Sequence, residues 1–188
     1  MTELERKRKL EGFAFFLGFA GSIPLSNWLI GNVGTTCIPD GPCLIPVAPG
    51  LEAPSGVLTV GLALTLRDLV QRRLGLNWSV AAIAVGALLS ASFAPPALVI
   101  ASTVAFLLSE FADLAVYTPL QRRRFVSAVI ASGIVGLIVD SIVFLWVAFG
   151  SLDFLGGQVV GKTWLILASL PVLVWLRSRD RRLGILPV

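Results

Sequence analysis

Two carboxylates stand three residues apart in a stretch that is otherwise apolar, AFLLSEFADLAVYTPLQRRR at residues 105 to 124. In a helix Glu110 and Asp113 share one face, and Phe106 and Tyr117 extend that face in both directions. Carboxylates accept hydrogen bonds from N–H-rich ligands or bind cations and protons, and aromatic rings stack on flat ligands. The stripe therefore predicts a polar ligand site, and the alternative is that the two acids pair with polar groups between helices.

A third acid, Asp140, belongs to a regular pattern in the fifth apolar run. Ala128, Ser132, Gly136 and Asp140 follow one another every four residues and form a ridge of small side chains. Such a ridge permits close helix approach. We expect the ridge to bring Asp140 to the acidic stripe, the helix face that carries Glu110 and Asp113. There Asp140 could serve as a proton-coupling acid or act as a gate.

The second apolar run carries the pair Arg67-Asp68. Asp68 precedes Arg72 by four residues, which predicts an intrahelical ion pair at the cytoplasmic interface. Arg67 either snorkels to the same interface or pairs with a buried carboxylate. Even with Arg67 included, the deep groups contain more acids than bases, which suits protons, a cation or a ligand rich in N–H donors.

The segment GGQVVGKT at residues 156 to 163 matches a phosphate-binding pattern. That chemistry requires a strand before the glycine loop, and only apolar runs precede this segment, so we do not expect nucleotide hydrolysis. Lys162 is instead either an interfacial snorkelling residue or a charge at the outer mouth of a pathway, with Gln158 and Trp164 as polar and aromatic neighbours. The chain has no histidine, and its cysteines lie outside the apolar runs, so we expect neither an enzyme nor a metal site or other cofactor.

The composition indicates how these residues are positioned. The chain has 56% hydrophobic residues and a mean hydropathy of +0.88, so we expect an all-α integral membrane protein. Six runs are long enough for transmembrane helices, the second and third being short. They lie near residues 12–30, 56–71, 78–94, 97–118, 125–149 and 159–176.

Basic residues fall in short blocks at alternate ends of these runs, and only Arg67 and Lys162 stand apart. The positive-inside rule then places both termini in the cytoplasm, and all five tryptophans lie near span ends, as membrane-interface residues do. This distribution favours a lipid bilayer over nucleic acid as the partner of the basic residues. We predict one six-span domain over residues 1–188.

The segment 31–55 is predicted to be a structured extracytoplasmic loop. It contains no lysine or arginine and is rich in proline and glycine, so turns are expected to shape it. Cys37 and Cys43 are the only cysteines, and two readings stay open: a disulfide, or two free thiols in a compact loop.

Several of these segments resemble the VUT family of bacterial and phage transporters for vitamins or queuosine precursors. The likeness runs from about residue 56 to 165, through LTLRDLVQRRLG, SEFADLAVYTPL, VDS and GQVVGK. The resemblance implies six-span inner-membrane proteins that import 7-deazaguanines such as 7-cyano-7-deazaguanine. By residue type, Glu110, Asp113 and Asp140 match the family's intramembrane acids, and Gln158 with Lys162 matches its outer polar element.

These residues suggest how a 7-deazapurine would bind. Glu110 or Asp113 could accept the N–H edge of the ring, and the rings of Phe106, Tyr117 or Trp164 could stack on its face. Arg67, Gln158 or Lys162 could donate to its carbonyl. The expected function is uptake through the bacterial inner membrane by a secondary carrier or facilitator, from a bacterial or phage-encoded chain. The alternatives are a substrate-binding subunit of an ATP-driven vitamin importer and, behind it, an intramembrane enzyme; the small ridge would also suit a homodimer.

Overall fold

The chain folds into a bundle of long helices with a small sheet at one end. The computed structural model describes residues 3–39 and 41–185. Within these ranges the helices are α1 Glu3–Asn32, α2 Val57–Leu74, α3 Leu76–Phe93, α4 Val99–Leu120, α5 Phe125–Phe149 and α6 Leu155–Leu183. The strands are β1 Thr36–Cys37, β2 Cys43–Ala48 and β3 Leu51–Pro54, and a short 3-10 turn, Pro96–Leu98, precedes α4.

Successive helices run in opposite directions between two ends of the bundle. At the sheet end, Ser55, which lies two residues before α2, donates to the carbonyl of Leu29 at 2.7 Å. At the other end, Arg73 of α2 donates to Glu11 of α1 at 2.9 Å. The basic blocks of the sequence lie at this second end, which we call the arginine end. Up-and-down packing with short connections explains why the basic blocks alternate along the chain.

The turn between α2 and α3 consists of one residue, Gly75. Its backbone has φ 93°, in the region that only glycine adopts without strain. Gly75 therefore ends α2 sharply and directs α3 back toward the sheet end.

The bundle is polar inside and apolar outside. Arg67, Asp68 and Asp113 are all 0% exposed, whereas Leu88 and Ile100 are 70% and 71% exposed. A soluble protein has the reverse distribution, and an apolar exterior of this extent suits contact with lipid. The arrangement supports the membrane environment predicted from composition.

Five of the helices within residues 3–39 and 41–185 are long and apolar enough to cross a membrane. The exception is α2, which carries Arg67, Asp68, Arg72 and Arg73 in its 18 residues. These four side chains are buried against other helices. The charges of α2 are thus kept from the surface that the other helices present to lipid.

The segment between α1 and α2 forms a three-stranded antiparallel sheet in the order β1-β2-β3. We predicted turns in this segment and no strands. Cys37 and Cys43 face each other across the β1–β2 pair and form a disulfide. The sheet rests on the start of α6, where Gly157 leaves no space for a side chain against the carbonyl of Glu52.

Candidate functional site

A cavity of about 80 Å³ lies in the half of the bundle nearest the sheet. All six helices contribute to its wall. At about 10–15 Å³ for each water, it has room for roughly five to eight waters.

Five of the residues predicted from the sequence line this cavity: Phe106, Glu110, Asp140, Gln158 and Lys162. They come from α4, α5 and α6. The cavity therefore presents an aromatic ring, two carboxylates, an amide and an ammonium group to its contents. This set can accept from N–H groups, donate to a carbonyl and pack against a ring.

Lys162 lies at the centre of a polar group on one side of the cavity. Its Nζ donates to Asp140 Oδ2 at 2.6 Å and to Ser141 Oγ at 2.9 Å, and also to Gln158 Oε1. Asp140 in turn accepts from Ser109 of α4 at 3.4 Å. Lys162 is 1% exposed, so it does not snorkel to an interface. Because the helix α6 includes the whole GGQVVGKT segment, this lysine does not follow a strand and a phosphate loop.

Arg67 forms a second polar group below the cavity. Its Nε donates to Glu110 Oε2 at 3.1 Å, its Nη1 donates to Gln71 Oε1 at 3.1 Å, and its Nη2 donates to Asp113. The same Nη2 lies 3.0 Å from Asp68 Oδ1. One guanidinium thus contacts three carboxylates in a region closed to solvent, where fixed hydrogen bonds substitute for hydration.

Glu110 connects the cavity wall with the Arg67 group. It lines the cavity and accepts from Arg67. A ligand in the cavity would therefore contact the same carboxylate that the buried arginine holds.

The small ridge of α5 packs along the acidic stripe of α4. Ala128 and Tyr117 belong to one core cluster, and a side chain added at Gly136 would lie 3.2 Å from Asp113 Cβ. Ser132 reaches further and donates to Asp68 Oδ2 at 3.0 Å. Small residues thus allow α5 to approach α4 closely enough to place Asp140 beside Ser109.

Four other predicted residues lie outside the cavity wall. Arg67, Asp113 and Tyr117 form the layer below it, where the Arg67 guanidinium lies 5.7 Å from the Tyr117 ring centroid. Trp164 is 57% exposed and donates to the Val47 carbonyl at 3.3 Å. The helical phase of α6 explains this placement, since Trp164 is two positions beyond Lys162 and points to another face.

The predicted pair between Asp68 and Arg72 is wrong. Asp68 faces Arg67 and Ser132, whereas Arg72 Nη2 donates to Asp180 Oδ2 at 2.9 Å. Asp180 also accepts from Arg73 Nη2 at 2.8 Å. Asp180 lies near the end of α6, so sequence proximity on α2 could not indicate it.

The sequence analysis also missed one wall of the cavity. Ser22, Ser26 and Asn27 of α1 line it, together with Thr59 of α2 and Ser90 of α3. The hydroxyl of Ser22 donates to a carbonyl of its own helix at 2.7 Å, as hydroxyl groups in apolar helices commonly do. The signal was a set of uncharged polar residues at helical spacing in α1.

Comparison with known proteins identifies one similarity. Residues 89–176 match a family model described as "Putative vitamin uptake transporter". The matched segment is a little under half of the chain and includes Glu110, Asp113, Asp140, Gln158 and Lys162, but not Arg67. No curated protein and no solved structure matches the chain.

Proposed function

We propose that the chain is an inner-membrane uptake transporter for a queuosine precursor, 7-cyano-7-deazaguanine or a related 7-deazapurine. The observation that carries this proposal is the cavity whose wall combines Phe106, Glu110, Asp140, Gln158 and Lys162. The similarity of residues 89–176 to vitamin uptake transporters supports transport as the activity. The apolar exterior and the five spans described above support a membrane location.

The ligand class follows from the chemistry of the wall. A deazaguanine presents a ring N–H and an exocyclic amine along one edge, and a carboxylate accepts both. Glu110 is the proposed acceptor, because it lines the cavity and a hydrogen bond from Arg67 holds its carboxylate in place. Lys162 or Gln158 would donate to the ring carbonyl, and Phe106 would contact the ring face.

Arg67 and Asp113 support the site from below and do not touch the ligand in this scheme. Asp140, which is bound to Lys162, would lose part of that bond when Lys162 turns to the ligand. The exchange of partners around Lys162 gives the transporter a means of sensing occupancy. Coupling to protons or ions through Asp140 is part of this proposal.

The membrane orientation is proposed from charge. Lys and Arg blocks lie at the arginine end, so this end and both termini would face the cytoplasm and the sheet would face outward. With α2 included, six helices would span the membrane. The chain would work in the inner membrane of a bacterium, and both a phage origin and a homodimer are compatible with its features.

The test is uptake by cells that lack their own importer. Cells that express the chain should accumulate labelled 7-cyano-7-deazaguanine, and cells that express Lys162→Met should not. Unlabelled guanine and 7-aminomethyl-7-deazaguanine, added as competitors, would define how much of the ring the site recognises. Equal uptake with and without the chain, at matched amounts of protein in the membrane, would contradict the substrate assignment.

The second candidate function is a substrate-binding subunit of an ATP-driven importer. The similarity to a vitamin uptake family favours it over an intramembrane enzyme. Purified chain reconstituted alone into liposomes distinguishes the two transport modes. A secondary carrier would transport the substrate in these liposomes without ATP. A subunit would transport it only when ATPase partners that co-purify with it, and ATP, are also present.

A further inference from the structure

A second cavity, of about 180 Å³, lies at the arginine end between the first three helices. Its lining comes from Arg8, Lys9 and Phe13 of α1, Arg73 and Leu74 of α2, and Trp78 of α3. The proposed transport function assigns no role to this cavity. Its wall is basic on one side and apolar or aromatic on the other.

Local packing creates the cavity. Gly12 brings α1 against Leu74 so closely that no side chain fits between them. The one-residue turn at Gly75 then sends Trp78 back toward α1, where its ring meets the Phe13 ring edge-on at a centroid distance of 5.1 Å. The cavity is therefore bounded by the rings of Phe13 and Trp78 and by basic residues from the first turns of α1.

The basic side has capacity for an anion. The Nε atom of Arg8 is shielded from solvent and has no hydrogen-bond partner among residues 3–39 and 41–185. Glu11, one turn further along α1, is already shared by Arg73 at 2.9 Å and Arg179 at 2.6 Å. An unpartnered, desolvated guanidinium N–H next to a second cation is a site that an anionic oxygen would satisfy.

The apolar side identifies the kind of anion. Trp78 and Phe13 are 42% and 41% exposed, and the neighbouring Leu17 is 70% exposed, so an apolar surface leads away from the basic residues toward the sheet end. A free phosphate would use only the basic side. A phospholipid would use both, with its phosphate among the cations and its acyl chains along the aromatic and aliphatic surface.

We propose that this cavity binds the headgroup of an anionic phospholipid, with Arg8 and Lys9 contacting the phosphate and Trp78 and Phe13 contacting the glycerol and upper acyl chain. The bound lipid would hold the start of α1 against the α2–α3 turn. The site does not depend on which substrate the chain transports.

Lipid binding to purified protein in neutral detergent tests the proposal, with native mass spectrometry as the readout. The probes are phosphatidylglycerol, phosphatidylcholine and inorganic phosphate. We expect wild type to retain phosphatidylglycerol saturably. Because each basic residue near an anionic surface contributes roughly fivefold, Arg8→Gln with Lys9→Gln should weaken that binding about 25-fold.

The matched control removes the same charge elsewhere at the arginine end. Arg122→Gln with Arg123→Gln changes two exposed residues outside the cavity and should alter binding less than about threefold. The single variant Lys9→Gln changes an exposed side chain and should lower the affinity for phosphatidylglycerol about fivefold. It tests the proposal even where the double variant is unstable.

Three outcomes would overturn the proposal. Equal losses in the two double variants would show general electrostatic attraction. Equal retention of phosphatidylcholine would show that charge is not recognised. Competition by inorganic phosphate at concentrations similar to those of the lipid would identify a free-anion site. Substrate uptake by intact cells is measured separately from lipid binding. A failure of the lipid proposal therefore does not contradict the transport proposal.

Discussion

Glu110 is the residue at which the cavity and the buried charges meet. Replacement by Gln keeps its size but removes the charge and one acceptor oxygen. We expect the affinity for 7-cyano-7-deazaguanine to fall about tenfold or more, because a hydrogen bond to a charged group contributes about 1.5–3 kcal/mol. Equilibrium binding to purified protein, with melting temperature measured on the same sample, checks this.

The control for this prediction is Glu52→Gln, the same chemical change at an exposed residue of the sheet. It should leave affinity unchanged. If Glu110→Gln binds and transports like wild type, the acid has a structural role only and the ligand assignment is wrong.

Arg67 neutralises a group of carboxylates that cannot reach solvent. Arg67→Met removes the only guanidinium that the structure shows in contact with Asp68, Glu110 and Asp113. We expect the free energy of unfolding to fall by about 3–5 kcal/mol, as is usual when one partner of a buried pair is lost. Denaturant unfolding in mixed micelles measures it.

Two further variants define the cause of that loss. Arg122→Met, at an exposed position, should change stability by less than about 0.5 kcal/mol. Adding Asp113→Asn to Arg67→Met should restore part of the lost stability, since it removes one unpaired charge. An undiminished loss in the double variant would mean that packing of the arginine stem, and not charge, dominates.

Residue type and spacing were enough to select Glu110, Asp140, Gln158 and Lys162 of the cavity wall, but not its serines, Asn27 or Thr59. Asp140 could be placed near α4 because a four-residue ridge fixes its helical face. The contact between Arg72 and Asp180 could not be predicted, because it joins residues 108 positions apart and depends on how α2 and α6 pack. Trp164 was wrongly predicted to belong to the site. A tryptophan near the end of an apolar run is expected both at a membrane interface and in a pocket wall, and the sequence does not distinguish the two.

At the scale of elements, glycines set the distances between helices. A side chain at Gly61 of α2 would lie 2.5 Å from the Lys162 carbonyl oxygen of α6, which is backbone and cannot turn away. Gly61→Ala should therefore push α2 and α6 apart and cost about 1–3 kcal/mol. Transport should fall as well, because Lys162 moves with its backbone.

Gly21→Ala is the matched control, since a side chain there meets no atom within 4 Å. It should leave stability unchanged or raise it slightly, because alanine favours the helix. Thermal unfolding of both variants in the same detergent checks the pair. Similar melting temperatures would show that α2 and α6 are not in tight contact in the native protein.

The helices were predictable as long apolar runs, although α1 and α6 extend beyond those runs through the basic blocks at their ends. The sheet was not, because its strands have two, six and four residues and the two longer ones each contain a proline, so the segment resembles a series of turns. Its pairing depends on contacts with α6 that local sequence does not encode. The cavity wall on α1 was missed for a related reason: serines in an apolar helix usually bond to their own backbone.

At the scale of the whole molecule, the separation of charge between the two ends predicts orientation. In a chain with both cysteines replaced by serine, Asp153→Cys near the sheet end should react with an impermeant maleimide in intact cells. Arg123→Cys at the arginine end should react only after the membrane is opened. Both positions are exposed, so burial does not account for a difference. The opposite labelling pattern would reverse the orientation.

The burial of α2 has a consequence for how the chain is made. Each charge at the centre of a lone helix in lipid costs about 2.5–3.5 kcal/mol, and α2 carries four charged residues within 18. Its partners Glu110, Asp113 and Asp180 are synthesised after it, whereas Glu11 of α1, a partner of Arg73, is synthesised before it. We therefore expect α2 to enter the bilayer stably only together with α4 and α6, and not as a lone helix when it leaves the ribosome.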